Sequence, residues 1–499
     1  MTTRTAVRPG IPDDDNRHYL PEYLKNTEIV VNENGNNSQP YPPLLQECTG
    51  EIVPGSTDRW YAYVPESYAA DRSCPLVISL HGGLMTGWGQ AVYSSWTNVA
   101  DREGFIVVFP DAAARRFWTI DIAPQWVPVM TAPNPEGLYL NAPVEDPEAN
   151  HDILLIRGLI DWAASAYSID RERVFLHGMS MGEAMTSTFA RKVGHLLSGA
   201  AGSGAPIDPS LLFDAEGEVV NTGGPVPLWQ SRLDLDEGPH PFTDDNIALV
   251  RDNREYWLRV NGVSEKPAIA IRGVSNFAFY RGERADYVFR DVRNRDHGQT
   301  FDDAELVWDY FFSGLRRAAD GRLHTGASEL PRRGDDFAIA IADGCSHAWV
   351  SGQCRPLPTA TFAWESAQYH GRGGARLVRG SYLYAPLGLI ADVFDAQFES
   401  SPTGDCVVIR LADGRVLQFA RGNVGCVVDG RVTAMLAEAV LREGELHVAL
   451  EWFAAAIMDL HVSEHSGVLY VTDHHARLSG NMAVLIRDLL AGEDGSRRG

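Results

Sequence analysis

At 499 residues, with 44% hydrophobic and 22% charged positions, the chain is too long for one ordinary domain and has the composition of a soluble globular protein. It contains no run of 18 apolar residues, which excludes a helical membrane span. Sixty-six acidic against 43 basic side chains leave a net charge of −23, which repels phosphate backbones and argues against a nucleic-acid partner.

The N-terminus, Met1 to Asp15, has no apolar core of a secretory leader, which leaves a cytoplasmic protein or the mature part of a secreted one. Residues 1–49 read as an extension. Cys74–Leu80 is a short apolar run bounded by turn residues, as is Gly104–Pro110, and both suit strands covered on two faces. Directly after the first comes His81-Gly82-Gly83-Leu84, whose glycines let backbone approach a ligand. Six prolines between Trp118 and Asp152 forbid regular structure there; the segment is expected to be an irregular excursion, either covering a substrate or packing on its own aromatics. The apolar spacing of Asp152–Ala164 predicts a helix. Strands alternating with helices predict an α/β class with a mainly parallel sheet.

The most informative segment is Gly178-Met179-Ser180-Met181-Gly182, between the strand ending at His177 and the helical stretch Glu183–Arg191. Strand, Gly-x-Ser-x-Gly, helix is the context of a nucleophile elbow, in which the glycines let strand and helix approach while the serine hydroxyl is presented above the sheet. A serine hydroxyl needs a base, and in this chain order the base and its acid follow the nucleophile. His297 stands just after the predicted strand Asp286–Val292, before the helix Asp303–Phe312, and is assigned the base; His240 lies between two prolines. The acid should follow the strand Pro225–Ser231, where Asp234, Asp236 and Glu237 compete and spacing does not choose. The oxyanion donors expected are the backbone N–H groups of Met181 and Gly83, with Leu84 the neighbour of the latter.

Charged and glycine residues crowd together from Gly314 to Asp335 without periodicity, which predicts a linker over 319–340 between a catalytic domain at 50–318 and a second domain at 341–490. In the latter, Arg379–Phe394 recurs 64 residues later as Glu443–Met458, each copy reading strand, short helix, strand. This repeat resembles the copper amine oxidase N-terminal-like domain. The resemblance implies a small α+β stalk that attaches to a surface or polymer, or self-associates, and does no chemistry.

Six cysteines are too few for a disulfide framework; Cys345 and Cys354 are the pair expected if any bridge forms, against free thiols. His461, His465, His474 and His475 sit on strand and loop positions of the repeat, so no metal is expected. Gly371–Gly374 lacks the strand-to-helix context of a phosphate loop. No cofactor is implied. Trp88, Trp118 and Trp229 either line an aromatic cleft for a polyester or phenolic acyl group or belong to the core, and the sequence leaves both open.

The ordered series Leu80–Gly83, Trp96–Ala112, Asp152 with its helix, Tyr167–Phe175, Ser180 and Leu306–Phe312 resembles the poly(3-hydroxybutyrate) depolymerase and feruloyl esterase group of α/β-hydrolases. The resemblance implies the α/β-hydrolase fold, secretion and a serine carboxylic ester hydrolase working through an acyl-enzyme on a polyester or on feruloyl or acetyl esters. Matching Pro227 to the strand proline of that group places Asp236 over its catalytic acid, with Asp234 the alternative, because Arg232-Leu233 stands where the group has His-Gly. The competing readings are a serine peptidase with the same triad, and a non-catalytic polymer-binding protein on a hydrolase scaffold.

Overall fold

A computed structural model describes residues 3–6, 42–135, 137–236, 245–295, 297–367 and 378–492. The chain divides into two compact units: residues 1–265 with 279–332, and 266–278 with 333–499. Among the described residues no helix is long and apolar enough to cross a membrane.

In the first unit the strands are β1 (Thr3–Ala6), β2 (Leu45–Gly50), β3 (Asp58–Tyr63), β4 (Cys74–Leu80), β5 (Ile106–Pro110), β6 (Ile169–Met179), β7 (Gly199–Ser203) and β8 (Leu228–Leu233). β11 (Tyr287–Val292) completes the first unit's set, whereas β9 (Ala268–Arg272) and most of β10 (Ser275–Tyr280) fall in residues of the second unit. The helices are α1 (Gly87–Tyr93), α2 (Trp96–Glu103), the single turn α3 (Val127–Met130), α4 (His151–Ala166), α5 (Met181–Val193), α6 (Asn246–Asn261) and α7 (Asp303–Tyr310). Hydrogen-bonded order runs β1-β2-β3-β5-β4-β6-β7-β8-β11. The pairs from β1 to β5 are antiparallel, and every pair from β5 through β4 to β11 is parallel.

This is the α/β-hydrolase arrangement: a mainly parallel sheet whose order crosses over at β5-β4, with the Gly-x-Ser-x-Gly turn joining β6 to α5. β4, β5, β7, β8 and β11 are buried along their whole length, as strands covered on both faces must be. Helix α4 is capped by Asn150, whose side chain accepts from the Asp152 and Ile153 amides, and it buries Ile153, Ile156 and Leu159 one helical repeat apart. The proline-rich segment carries no regular structure beyond α3.

The expected domain limits differ from these units in three places. β2 belongs to the sheet although it lies within 1–49. β12 (Leu315–Arg317) and β13 (Leu323–Thr325) form an antiparallel hairpin whose turn and second strand fall within 319–340, and Ala338 already opens the next strand. Residues 266–278 belong to the second unit. The charge and glycine density that signalled a linker is that of a hairpin turn: Gly321 has φ +85° between Asp320 and Arg322.

The second unit is built of three antiparallel sheets. β14 (Ala338–Ala342), β15 (His347–Val350) and β16 (Gln353–Pro356) pair in the order β16-β15-β14-β27-β26, with β26 (His461–His465) and β27 (Val468–Thr472). β17 (Phe362–Ala367), β18 (Val378–Pro386), β24 (Val440–Arg442) and β25 (Glu445–Ala449) pair as β17-β18-β25-β24. β19 (Gln397–Ser400), β20 (Cys406–Arg410), β21 (Val416–Ala420), β22 (Gly425–Val428) and β23 (Arg431–Ala434) form a meander in sequence order. The helices are α8 (Leu387–Val393), α9 (Leu450–Trp452) and α10 (Gly480–Ala491).

The internal repeat is visible as strand, helix and hairpin twice over: β18-α8-β19-β20 and β25-α9-β26-β27. The residue after each helical turn, Asp395 and Asp459, has positive φ (48° and 55°) at equivalent positions. The copies cross-pair, Tyr384 opposite Ala449 and Ala385 opposite Val448, as a local two-fold relation between equivalent strands requires. Both copies contribute to one core, which includes Leu383, Leu387, Leu446, Leu450 and Phe453. Cys345 and Cys354 are free thiols and form no bridge with each other.

Candidate active site

Ser180 sits at the β6-to-α5 turn with φ 53° and ψ −122°, a conformation a non-glycine residue adopts only under constraint. The constraint is visible. Its N–H donates to Ser203 O at the end of β7 (2.7 Å). A Cβ on Gly178 would collide with the Gly182 carbonyl, and one on Gly182 with the carbonyl of Leu80, so both flanking glycines are required by close approach of backbone.

β8 and β11 pair in parallel with Leu233 opposite Val292, so the loops that follow them leave the same edge of the sheet side by side. Backbone bonds zip these loops together: Asp234 N to Val292 O (3.1 Å) and Leu235 N to Arg295 O (2.9 Å). That zipper carries Asp236 and His297 toward Ser180. His297 Nε2 lies 2.7 Å from Ser180 Oγ, and His297 Nδ1 lies 3.1 and 3.2 Å from the two oxygens of Asp236. With the proton of Nδ1 on the carboxylate side, Nε2 is left as an acceptor for the serine hydroxyl. The far side of the imidazole is held by its own chain: Gly298, at φ 125°, gives its carbonyl to the Ser203 hydroxyl.

Asp234 does not face the imidazole. Its carboxylate accepts from the Arg293 guanidinium (2.7 Å) and from the Asn294 amide (2.5 Å), so the alternative acid instead holds the loop that delivers His297. Glu237, His240 and Asp296 lie outside the described residues, as do Gly371–Gly374.

Gly83 adjoins Met181: a Cβ on Gly83 would lie 3.1 Å from Met181 Cγ and 3.0 Å from the Phe117 ring. Among the described residues the amides of Gly83 and Met181 have no acceptor, whereas the Leu84 amide donates to Arg116 O (2.9 Å) and is thereby removed from the choice. The peptide between Gly82 and Gly83 is fixed from behind by His81. The Ala112 amide donates to His81 Nε2 (3.0 Å), so the ring proton is on Nδ1, which donates to Gly82 O (2.6 Å). Burial lowers the His81 pKa and keeps the ring neutral. A trans peptide then points the Gly83 N–H away from the Gly82 carbonyl.

Of the two places open to the three tryptophans, a cleft or the core, the structure shows the core. Trp88, Trp118 and Trp229 are 4%, 0% and 0% exposed, which leaves no indole face for a ligand. Trp118 Nε1 donates to His81 O (2.7 Å) and Trp229 Nε1 to Ser231 Oγ (2.9 Å), so both support the sheet end from within. Beside Gly83 and Met181 stands the Phe117 ring, which sequence reasoning passed over.

Two buried ionic groups behind the site were also missed. Glu183, one turn into α5, accepts from Arg232 with both oxygens (2.8 and 3.0 Å) and from the Ala205 amide (2.5 Å). This ties α5, which follows Ser180, to β8, which leads to Asp236. The signal for it was Arg232 itself, a charge where the resembling group has His-Gly. Beneath it, Asp303 at the start of α7 accepts from Arg290 (3.0 Å) and Ser231 (3.0 Å) and meets His177 Nε2 at 3.1 Å.

No family model matches this chain. It is 28% identical over 171 residues to acetylxylan esterase A of Emericella nidulans, covering 34% of this chain and 49% of that protein. It is 25% identical over 261 residues to the bifunctional acetylxylan esterase/xylanase XynS20E of Neocallimastix patriciarum, covering 50% of this chain and 32% of that one. Among solved structures, an acetyl xylan esterase from Aspergillus awamori aligns at 16% identity with a TM-score of 0.36, covering 54% of this chain and 98% of that one. The chain spans about half the length of the acetylxylan esterase A relatives it matches, and the similarity to them is one of ester hydrolases.

Proposed function

We propose that the protein is a serine carboxylic ester hydrolase that works through an acyl-enzyme. The observation that carries this reading is the hydrogen-bonded series Ser180, His297, Asp236 at the end of a parallel sheet, with two unpartnered amides beside the serine. In this reading His297 Nε2 takes the Ser180 proton as Oγ attacks the ester carbonyl. The charge that develops on the carbonyl oxygen is held by the amides of Gly83 and Met181, and Asp236 orients the imidazole and stabilises its protonated form. The imidazolium then protonates the leaving alcohol, and water repeats the cycle to release the acid.

Acetyl esters of a polysaccharide are the substrate class best supported, since the relatives named are acetylxylan esterases. Feruloyl esters and polyesters need a longer acyl channel. Hydrolysis of p-nitrophenyl acetate, butyrate and ferulate, with a matched acetanilide to detect amidase action, tests the reading. Ser180→Ala is expected to lower kcat for the acetate at least ~10⁴-fold and to abolish labelling by a fluorophosphonate. Retained turnover in that variant would sink the assignment; equal turnover of the anilide would make it a peptidase.

A further inference from the structure

The second unit contains a cavity of about 980 Å³ that lies between β17, the turn after β14 and the segment entering β24. Its size is that of an organic-ligand site, about 300–1,000 Å³. Its lining combines an aromatic floor with charged groups of both signs. Trp364 is half-buried on β17, and its indole N–H donates to Glu438 Oε1 (3.1 Å), while the other Glu438 oxygen accepts from Ser366 Oγ (3.3 Å). The indole is therefore held at a fixed angle: it packs against Phe362 and Tyr384 and lines the cavity with the rest of its surface. Arg442 lays its guanidinium over the Phe362 ring, 4.3 Å from the centroid, which fixes a planar set of donors beside it. Asp343 uses one oxygen on the Ala363 amide (2.7 Å), and Arg421 completes the charged lining.

This chemistry selects among ligand classes. Two guanidiniums face carboxylates in equal or greater number, and the chain carries −23, so an anionic ligand gains nothing from the field. A wholly apolar ligand would strip water from five charged side chains without replacing its hydrogen bonds. A ring with an apolar face and hydroxyls at its edge meets both requirements: the face covers the indole and the hydroxyls exchange bonds with fixed carboxylates and guanidiniums.

We propose that this cavity binds a neutral polysaccharide chain, stacking a sugar ring on Trp364 and hydrogen-bonding its hydroxyls through Asp343, Glu438, Arg421 and Arg442. The inference rests on the second unit alone and stands apart from the chemistry assigned to Ser180.

The test uses the full chain carrying Ser180→Ala, so that binding is read without hydrolysis. Depletion from solution by insoluble xylan and by microcrystalline cellulose gives the affinity, with circular dichroism melts confirming the fold. The background variant is expected to be retained by at least one of the two. Adding Trp364→Ala should weaken retention at least tenfold and adding Arg442→Ala several-fold, the latter at an exposed side chain whose loss leaves the core intact. Absence of retention by both polysaccharides, or retention unchanged in the Arg442→Ala and Trp364→Ala variants, overturns the proposal. Absence of ester hydrolysis by the parent chain, with Ser180 in place, together with intact retention would overturn the reading of Ser180 and leave the cavity standing.

Discussion

Two carboxylates separated by one residue do different work at the edge of this site, and substitution separates them. In Asp236→Asn the imidazole loses the partner that sets its tautomer, so kcat for p-nitrophenyl acetate is expected to fall by roughly 10³–10⁴ with the melting temperature little changed. In Asp234→Asn the Arg293 and Asn294 bonds weaken, and stability should drop by roughly 1–3 kcal/mol while residual folded enzyme keeps most of its kcat. Reversal of the two phenotypes would reassign the acid. His81 is a third case. It touches no substrate in the proposed mechanism, yet His81→Ala frees the peptide that aims the Gly83 amide, so kcat should fall by about 10²-fold with KM unchanged. A rise in KM alone would show that the ring serves binding instead. The serine was legible because its whole context is local, strand and turn and helix within fifteen residues. The acid was not, because three carboxylates lie within four positions and only the pairing of the two loops decides which one turns inward. The sequence left the tryptophans between cleft and core because an aromatic side chain carries no mark of which side of a sheet end it will occupy.

Elements were legible where burial on two faces writes an unbroken apolar run: Cys74–Leu80 is β4 to the residue, and the predicted helix 152–164 is α4 shortened by one residue at its start and two at its end. What binds the elements to each other beneath the site was not legible, because it consists of polar side chains far apart in sequence. Asp303 is the centre of that contact. Burial by itself would raise its pKa, but the His177 hydrogen bond and the Arg290 charge outweigh it and hold the value below the ordinary carboxylate range. A carboxylate depressed in the folded state stabilises fully above its unfolded value, about 4, and that contribution is lost as the pH falls through the folded value. Asp303→Asn leaves Arg290 short of a partner in the core and is expected to cost about 3–5 kcal/mol at pH 7. Urea unfolding measured from pH 7 down to 3 should show the gap between wild type and variant narrowing below pH 4; a gap independent of pH would mean that the carboxyl is already protonated in the folded protein.

At the scale of the whole molecule the chain passes between units more often than its composition suggests. It leaves the first unit after Glu265, gives residues 266–278 to the second, returns at Phe279 and leaves again after Arg332. The 266–278 segment is bound into the second unit through Ile271 N to Asp335 (2.9 Å), Gly273 N to His475 O (3.0 Å) and Arg477 N to Gly273 O (2.8 Å). Asn276, fully buried, accepts from Ser479 N (3.1 Å) and donates to Arg477 O (2.9 Å). A boundary read from charge and glycine density at 319–340 recommends a truncation that would separate residues 266–278 from the rest of their unit. A fragment of residues 1–332 retains Ser180, His297 and Asp236 but leaves these groups without partners, at roughly 1–3 kcal/mol for each one that stays out of water. Their total rivals the 5–15 kcal/mol by which an ordinary domain is stable. The fragment is expected to be recovered mostly insoluble, and its soluble part to melt at least 10 °C or so below the full chain and to lose esterase activity in proportion. Insertion of a short Gly-Ser segment at Gly321, the exposed turn of the hairpin, interrupts no such bond and should leave both melting temperature and kcat near those of the parent. A soluble fragment with the full-chain melting temperature would mean that residues 266–278 find other partners within the first unit. The second unit would then be dispensable to the fold, and its retention in the chain would rest on binding alone.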